Sequence, residues 1–275
     1  NFEVGTSTIV DAQEAQARFD LAIAQEIAAE SDLEVRQQTL RAIIGKEPGA
    51  LAPFRRDADI PQPQPADMKK WAAAAENDNI NVQLQMAALE IASLEVDRQR
   101  AGHYPTVDLV ASTGSTTALA SAGLGLVDSD FRSIGVQVNL PIFQGGQVVS
   151  RQREASANRA AAESNLEQAR RNAALQARQQ YLGATNGLAQ VRALKAALIS
   201  SQSSLESNRL GFEVGVRINI DVLNADNQVY VTRRDLAKAV LETLMSQLRL
   251  KAAVGTLSED DVVAANALLD PGATQ

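Results

Sequence analysis

Few residues of this chain are suited to covalent or metal chemistry. The 275 residues include no cysteine and a single histidine, His103, which excludes thiolate catalysis, disulfides and multi-histidine metal sites. The 33 Asp and Glu residues recur at helical spacing, as on a solvated helix face. The sequence contains no nucleophile paired with a base, no phosphate-binding loop and no metal-ligand cluster. We therefore expect no catalytic residue, no cofactor and no metal.

The most suggestive charged residues follow two copies of the stretch FEVG, at residues 2–5 and 212–215. Asp11 and Asp221 each lie six residues beyond the glycine of their copy, and Arg217 lies between the second glycine and Asp221. A carboxylate in the first turn of a helix is favoured by the helix dipole in any protein. Arginine near a turn is ordinarily a solvated surface residue, so these residues alone leave a purely structural role open.

The two FEVG stretches begin an internal repeat. A shift of 210 residues keeps residues 2–45 in step with residues 212–255 without a gap, and 11 of the 44 positions are identical. Both copies end in glycine, at Gly45 and Gly255. Matching turns, helices and helix ends indicate a duplicated unit. Since residues 67–211 precede the second FEVG, we expect about 145 similar residues upstream of residue 1.

Hydrophobic spacing predicts a mainly helical chain. Prolines crowd into residues 46–66, which predicts an irregular connector. The longest helix has a narrow apolar stripe, so we expect it to pack lengthwise in a coiled coil or tube. The predicted helices are residues 8–44, 67–101 with a break near 77–79, 147–211 and 220–254.

Between residues 104 and 143 the hydrophobic period changes to two, which is typical of strands. Each alternating run has about the 9–11 residues that a tilted transmembrane strand requires. We predict a membrane hairpin, with the stretch rich in Gly, Ser and Ala between the two runs as a solvent-exposed loop. The alternating apolar residues on the membrane-facing side are Val107 and Leu109 in the first run and Ile134, Val136, Val138 and Leu140 in the second.

This order of elements, duplicated in one chain, resembles the TolC family of outer-membrane efflux and secretion ducts. The matching phrases are GHYPTVDLVASTGS at the first strand, VNLPIFQGG after the second, FEVG followed by INIDVLNA, and LKAAVGTLSEDD at the last helix end. The resemblance covers essentially the whole chain. It implies a mainly α fold with a membrane β-hairpin, in which a trimer forms an α-helical tunnel and a twelve-stranded β-barrel. This chain would supply two of the four strands of each protomer.

The resemblance also assigns each part of the chain to a place in the duct. Residues 1–45 are the first periplasmic coiled-coil tip and its helix, 46–66 an equatorial connector, 67–103 helices of the second repeat, 104–143 the outer-membrane hairpin with its external loop, 144–255 the long tunnel helices with the second periplasmic tip, and 256–275 an equatorial tail.

The function implied by the resemblance is that of an exit duct in a tripartite efflux pump or a type I secretion system. Such a duct passively conducts small toxic compounds or unfolded proteins from an inner-membrane pump to the exterior. The implied partners are two further copies of the chain, a periplasmic adaptor (membrane fusion protein), an inner-membrane transporter and outer-membrane lipid. The implied location is the outer membrane of a Gram-negative bacterium, with most of the chain in the periplasm.

In this family FEVG would mark the periplasmic tips, where the tunnel closes. Arg217 is expected to reach Asp11, or nearby oxygens such as that of Thr8, and so hold the mouth shut. Asp221 is expected to face the lumen, where threefold symmetry makes a ring of three carboxylates with raised proton affinity. Val4, Gly5, Val214 and Gly215 are the expected adaptor contacts.

Two positions depart from the family pattern at this mouth. Asn224 stands where similar family members have a second aspartate, which predicts weaker block by multivalent cations. Phe212 stands where they have tyrosine, which removes a hydroxyl that could tie the hairpin to its neighbour.

Two other functional classes are less consistent with the sequence. A soluble periplasmic helical-hairpin adaptor or scaffold has no need for membrane-length alternating strands. Nucleic-acid binding is disfavoured because the formal net charge is −7 and the basic residues are spread singly along the helices.

Overall fold

The computed structural model describes residues 9–55, 60–119 and 126–270. They are mainly helical and include one antiparallel β-hairpin. The elements in chain order are α1 (Ile9–Ile44), α2 (Met68–Asp78), α3 (Ile80–Ala101), β1 (Thr106–Leu119), β2 (Leu126–Asn139), α4 (Gln147–Glu213), α5 (Asn219–Val254) and α6 (Glu259–Asn266).

The predicted helices are confirmed to within about two residues of their ends. The break falls at Asn79, whose side-chain oxygen accepts hydrogen bonds from the N–H of Asn81 at 2.9 Å and of Val82 at 3.3 Å and so begins α3. Gly45 and Gly255 follow α1 and α5 with φ angles of 73° and 77°. Glycine occupies this left-handed region without steric cost, which explains why both copies of the repeat end their helix in glycine.

The chain divides into two compact units, one made of Asn1–Ala75 and Ala174–Gln275 and the other of Glu76–Ala173. In the first unit the connector packs against the long helices. Its Ile60 is buried in an apolar cluster with α4 and α5, which anchors the described end of the proline-rich segment to these helices. The other buried members are Leu188, Val191, Ala239 and Val240, and Phe54, Leu194 and Leu236 pack around them.

The connector is also joined to the chain beyond α5 by backbone hydrogen bonds. Phe54 forms an isolated antiparallel bridge with Leu269, and the N–H of Asp270 donates to the carbonyl of Pro53 at 2.8 Å. On α5, the amide of Gln247 donates to the carbonyl of Pro61 at 2.6 Å. The connector and the tail therefore form one belt across α4 and α5 within this unit.

The short helix α6 was not predicted from the sequence. Asp261 in its first turn accepts hydrogen bonds from the N–H of Ser258 at 3.0 Å and from its hydroxyl at 3.3 Å, and it pairs with Lys251 of α5. The hydrogen bond from Lys251, followed by that from the Ser258 backbone, lowers the pKa of Asp261 below its usual value. The ionised carboxylate thus attaches α6 to the end of α5.

We expect Asp261→Asn to lower the Tm at pH 7 in thermal unfolding. Because the folded-state pKa is lowered, the carboxylate stabilises the fold above its unfolded pKa of about 4, and this contribution disappears as pH falls through the lower folded value. The difference in Tm between the two proteins should therefore shrink as pH falls below about 4. Asp260→Asn, at an exposed position in the same turn, is the matched control. An equal Tm for wild type and Asp261→Asn at pH 7 would contradict this assignment.

Helices α4 and α5 approach closely through small residues. A Cβ atom at Gly187 would lie 2.3 Å from the hydroxyl oxygen of Thr243, and one at Gly183 would lie 2.9 Å from that of Ser246. Thr243 is almost fully buried, and its hydroxyl donates to the carbonyl of Ala239 at 2.6 Å. The β-branched side chain therefore has no free space into which it could retreat.

Gly187→Ala is expected to destabilise the protein despite the better helix propensity of alanine. Overpacking at a buried contact costs about 1–3 kcal/mol, whereas the propensity gain is at most about 1 kcal/mol. Gly49→Ala is the control, since a Cβ there has no atom within 4 Å. Chemical denaturation of both variants measures the difference. A Gly187→Ala protein as stable as wild type would show that the helices can move apart without cost.

In the second unit, β1 and β2 pair in register from Thr106 opposite Asn139 to Leu119 opposite Leu126. The predicted loop was therefore wrong for residues 114–119 and 126–130, which extend the two strands, while residues 120–125 lie outside the described part. Polar pairs replace apolar alternation in this distal half. The hydroxyls of Ser112 and Ser133 lie 2.6 Å apart, and Thr117 donates to Asp128 at 2.5 Å.

Candidate gate at the interhelical turn

The turn between α4 and α5 is built on Gly215. Its φ angle is 76°, and its N–H donates to the carbonyl of Phe212 at 3.1 Å, while the N–H of Val216 donates to that of Gly211 at 2.8 Å. These two bonds form a Schellman motif, which satisfies the last carbonyls of a helix and requires the left-handed conformation. Glycine adopts this conformation without steric cost, which explains its presence at position 215.

Arg217 is held against the end of α4. Its N–H donates to the carbonyl of Gly211 at 3.0 Å, and its side chain lies so close that a Cβ at Gly211 would be 2.7 Å from the Arg217 Cγ. Gly211 therefore leaves room for the arginine to fold back over the helix. The sequence analysis placed Gly211 at the helix end but did not assign it this role.

The guanidinium of Arg217 lies 3.5 Å from Asp221 in the first turn of α5. The two side chains are 58% and 33% exposed, so the pair contributes at most about 1 kcal/mol. Its effect is to orient Arg217 along the face of α5. We call residues 211–221, which include this pair, the gate turn.

The remaining predicted gate and adaptor residues are only partly described. Val4, Gly5 and Thr8 lie outside the described residues, as does the side chain of Asp11, so a contact between Arg217 and Asp11 stays a prediction. At the gate turn itself Val214 is 65% exposed. Val216 and Ile218 beside it are exposed as well, which gives the turn an apolar outer surface.

Asn224 lies one turn beyond Asp221 and bonds to a residue that the sequence analysis did not consider. Arg18 of α1 donates through Nη1 to the side-chain oxygen of Asn224 at 2.6 Å, and through Nη2 to Glu14 at 3.2 Å. An ion pair also joins Arg209 of α4 to Asp226 of α5, at 3.2 Å. Polar links thus connect α5 to both α1 and α4 near the gate turn.

The hairpin of the second unit has one apolar face. Residues directly opposite in an antiparallel pair share a face, and the register pairs Val107 with Val138, Leu109 with Val136, and Ala111 with Ile134. Leu140 follows at the same end. The six predicted membrane-facing residues are 56–82% exposed, so nothing in the described chain covers this face.

Phe131 lies on the opposite face of the hairpin. It pairs with Gly114, and a Cβ there would lie 2.7 Å from the Phe131 ring. The ring of Phe131 therefore packs over the glycine of the neighbouring strand.

The described residues offer no other obvious site. None of their His, Asp and Glu side chains form a group of three or more that could hold a metal ion. Within the same ranges, no helix combines the length and apolar character needed to cross a membrane.

These features match those of a known family. Residues 71–256 match the outer membrane efflux protein family, and the chain belongs to this family. The predicted resemblance, the mainly α fold with a β-hairpin and the outer-membrane location are thereby confirmed.

Individual relatives agree with this assignment. The chain is 35% identical to the outer membrane protein TolC of Escherichia coli over 99% of its own length and 57% of that protein. It is 31% identical to the alkaline protease secretion protein AprF of Pseudomonas aeruginosa, over 96% and 56% respectively. The chain therefore spans a little over half the length of these relatives.

Solved structures show the same fold at lower identity. The outer membrane protein VceC of Vibrio cholerae matches with a TM-score of 0.72 at 19% identity, over 92% of this chain and 60% of that one. The open state of the MtrE outer membrane channel of Neisseria gonorrhoeae matches with a TM-score of 0.72 at 19% identity, over 94% and 59%.

Proposed function

We propose that the full-length protein is an outer-membrane exit duct, which passively conducts small toxic compounds or unfolded proteins from an inner-membrane pump to the exterior. Family membership supports this proposal, as do the relatives named for efflux and for protease secretion. The duct would serve a tripartite efflux pump, a type I secretion system or both.

The observation that supports a membrane duct most directly is the exposed apolar face of the hairpin. Its three cross-strand pairs, from Val107–Val138 to Ala111–Ile134, present aliphatic side chains that no other element covers among the described residues. Lipid is the partner that such a face suits, because burying it there removes apolar area from water. A soluble periplasmic adaptor or scaffold, the alternative, would have to keep this face in water.

The assembly we propose is a homotrimer in the outer membrane of a Gram-negative bacterium. Four strands from each protomer would close a twelve-stranded barrel, and the helices would form a tunnel in the periplasm. The apolar outer surface of the gate turn, with Val214 and Gly215, would meet the periplasmic adaptor together with Val4 and Gly5 of the first repeat.

The gate turn would set the aperture of the tunnel and its charge. Asp221, repeated by threefold symmetry, would form an acidic ring that favours cations over anions. Arg217 is bonded to the same carboxylate at 3.5 Å and would hold the mouth in its closed arrangement, alone or with Asp11 and Thr8. Because Asn224 is neutral, it would add no second acidic ring, and multivalent cations should block the duct weakly.

Accumulation of a fluorescent dye in living cells tests this proposal. Cells that lack the full-length protein should accumulate more dye than wild-type cells, and a plasmid copy should restore export. If accumulation and protein secretion are both unchanged in the deletion strain, the protein is not an exit duct for either class of cargo.

A further inference from the structure

Arg18 donates hydrogen bonds to residues that occupy equivalent positions in the two copies of the internal repeat. The shift of 210 residues places Glu14 on Asn224, so both acceptors of Arg18 occupy the same position in the two copies, nine residues after the FEVG glycine. The residue equivalent to Arg18 is Gln228, which donates within its own helix to Thr232 at 3.1 Å. One guanidinium therefore bridges two equivalent positions, one on each helix.

The chemistry of arginine suits this bridge. A guanidinium presents several N–H donors in a rigid planar fork, so it can donate to two acceptors at once with little loss of rotamer freedom. Glu14, one turn before Arg18 on α1, accepts from Nη2 and orients the fork toward α5. Asn224 accepts from Nη1 without adding a charge.

Few other interactions hold α1 against α5 within the described residues. None of the described side chains of α1 is buried, and Phe19 beside Arg18 is 61% exposed. An open groove of about 700 Å³ runs along the helices from this point, with Phe19, Ala22 and Leu223 in its lining. Because apolar burial between the helices is small here, the polar bridge supplies a large share of the attachment.

We propose that Arg18 is a positioning residue of the gate, which latches α1 to α5 through Asn224. The latch lies one helical turn from Asp221, so α1 and α5 cannot separate at the mouth without breaking it. The inference rests on the proposed function, since a gate has meaning only in a duct. It also gives the neutral residue at position 224 a role, as the acceptor for an arginine supplied by the other repeat.

The separation of the two helices tests the latch directly. Spin labels on cysteines at Gln25 of α1 and Asn227 of α5 would report the distance between the helices by pulsed electron resonance, in full-length protein diluted with unlabelled chains. These 275 residues contain no cysteine that would also be labelled. Arg18→Ala should reduce the ratio of close to separated helices roughly 2- to 10-fold, the range expected for one net hydrogen bond.

Arg36→Ala is the matched control, because Arg36 pairs only with Asp32 one turn earlier on the same exposed helix, at 3.3 Å. It should leave the distance distribution unchanged. The latch is overturned if Arg18→Ala has the wild-type distribution, or if Arg36→Ala shifts it equally, which would show a general loosening of α1.

Single-channel recording of the same variants separates the two proposals. If Arg18→Ala shifts the distance but no variant conducts, including wild type, the latch stands and the proposed duct fails. If wild type conducts and Arg18→Ala changes neither the distance nor the open fraction, the latch fails and the duct stands. If both proposals hold, Arg18→Ala separates the helices and raises the open fraction.

Discussion

Val136→Arg should remove the full-length protein from the outer membrane, whereas Gln137→Arg should leave it there. Val136 lies on the apolar face of the hairpin opposite Leu109, and Gln137 lies on the other face opposite Asp108. A cation on the lipid side costs about 2–4 kcal/mol at the bilayer midplane. On the other face the arginine would remain in a polar environment, with the Asp108 carboxylate as a neighbour.

Membrane fractionation with gel analysis of the trimer measures this difference. Each variant introduces the same residue into the same strand, one position apart. The two variants therefore differ mainly in the face of the hairpin on which the arginine lies. Equal amounts of both variants in the outer membrane would contradict the assignment of the lipid-facing side. Loss of both variants would show instead that strand β2 tolerates no arginine on either face.

Arg217→Ala should raise the single-channel conductance of the full-length protein. Its ion pair with Asp221 is partly exposed, and such a pair contributes about 0.2–1 kcal/mol. Three such pairs in the proposed trimer, each broken on opening, would sum to roughly 0.6–3 kcal/mol, which corresponds to a factor of about 3 to 150 in the closed-to-open equilibrium. The substitution also removes the side chain that packs over Gly211, so the turn loses a contact as well as a charge.

Arg234→Ala is the control for this prediction. Arg234 pairs with its neighbour Asp235 on α5 at 2.8 Å, farther along the helix from the gate turn, so its loss removes an equal charge without loosening the turn. Conductance should stay at the wild-type value. A rise in both variants would mean that net charge, rather than the turn, controls the current.

The helices were predictable because the residues at their ends have side chains or backbone conformations that are typical of helix caps. Gly45 and Gly255 end their helices in the left-handed conformation, and Asn79 begins α3 with its own side chain. The apolar halves of the strands were predictable for a similar reason, since alternation between Val136, Gln137 and Val138 directly marks two faces.

The distal halves of the strands were missed because polar residues fill them. Residues such as Thr117 and Asp128 are common in loops, whereas the structure pairs them across the ladder and joins them by a side-chain hydrogen bond. Helix α6 was missed although its signal was present, since Ser258 and Asp261 have the spacing of a helix start. Thr232 and Thr243 are buried polar side chains of α5, and the local sequence around them likewise gives no sign of their burial.

The bond between Arg18 and Asn224 illustrates a different limit. The two residues are 206 positions apart, so no local pattern relates them. The internal repeat relates Asn224 to Glu14, and helical spacing places Glu14 next to Arg18. These two relations are the only features of the sequence that point to this contact. Long-range polar contacts of this kind depend on how two helices are placed relative to each other. Hydrophobic periodicity does not determine that relative placement.

Single-channel recording of the full-length protein in planar bilayers tests the central claim most directly. The proposed duct predicts a small conductance that prefers cations, because the proposed acidic ring of Asp221 would face the lumen, and weak block by multivalent cations, because Asn224 is neutral. If assembled trimers are inserted and no current flows in wild type or in Arg217→Ala, the protein is not a duct.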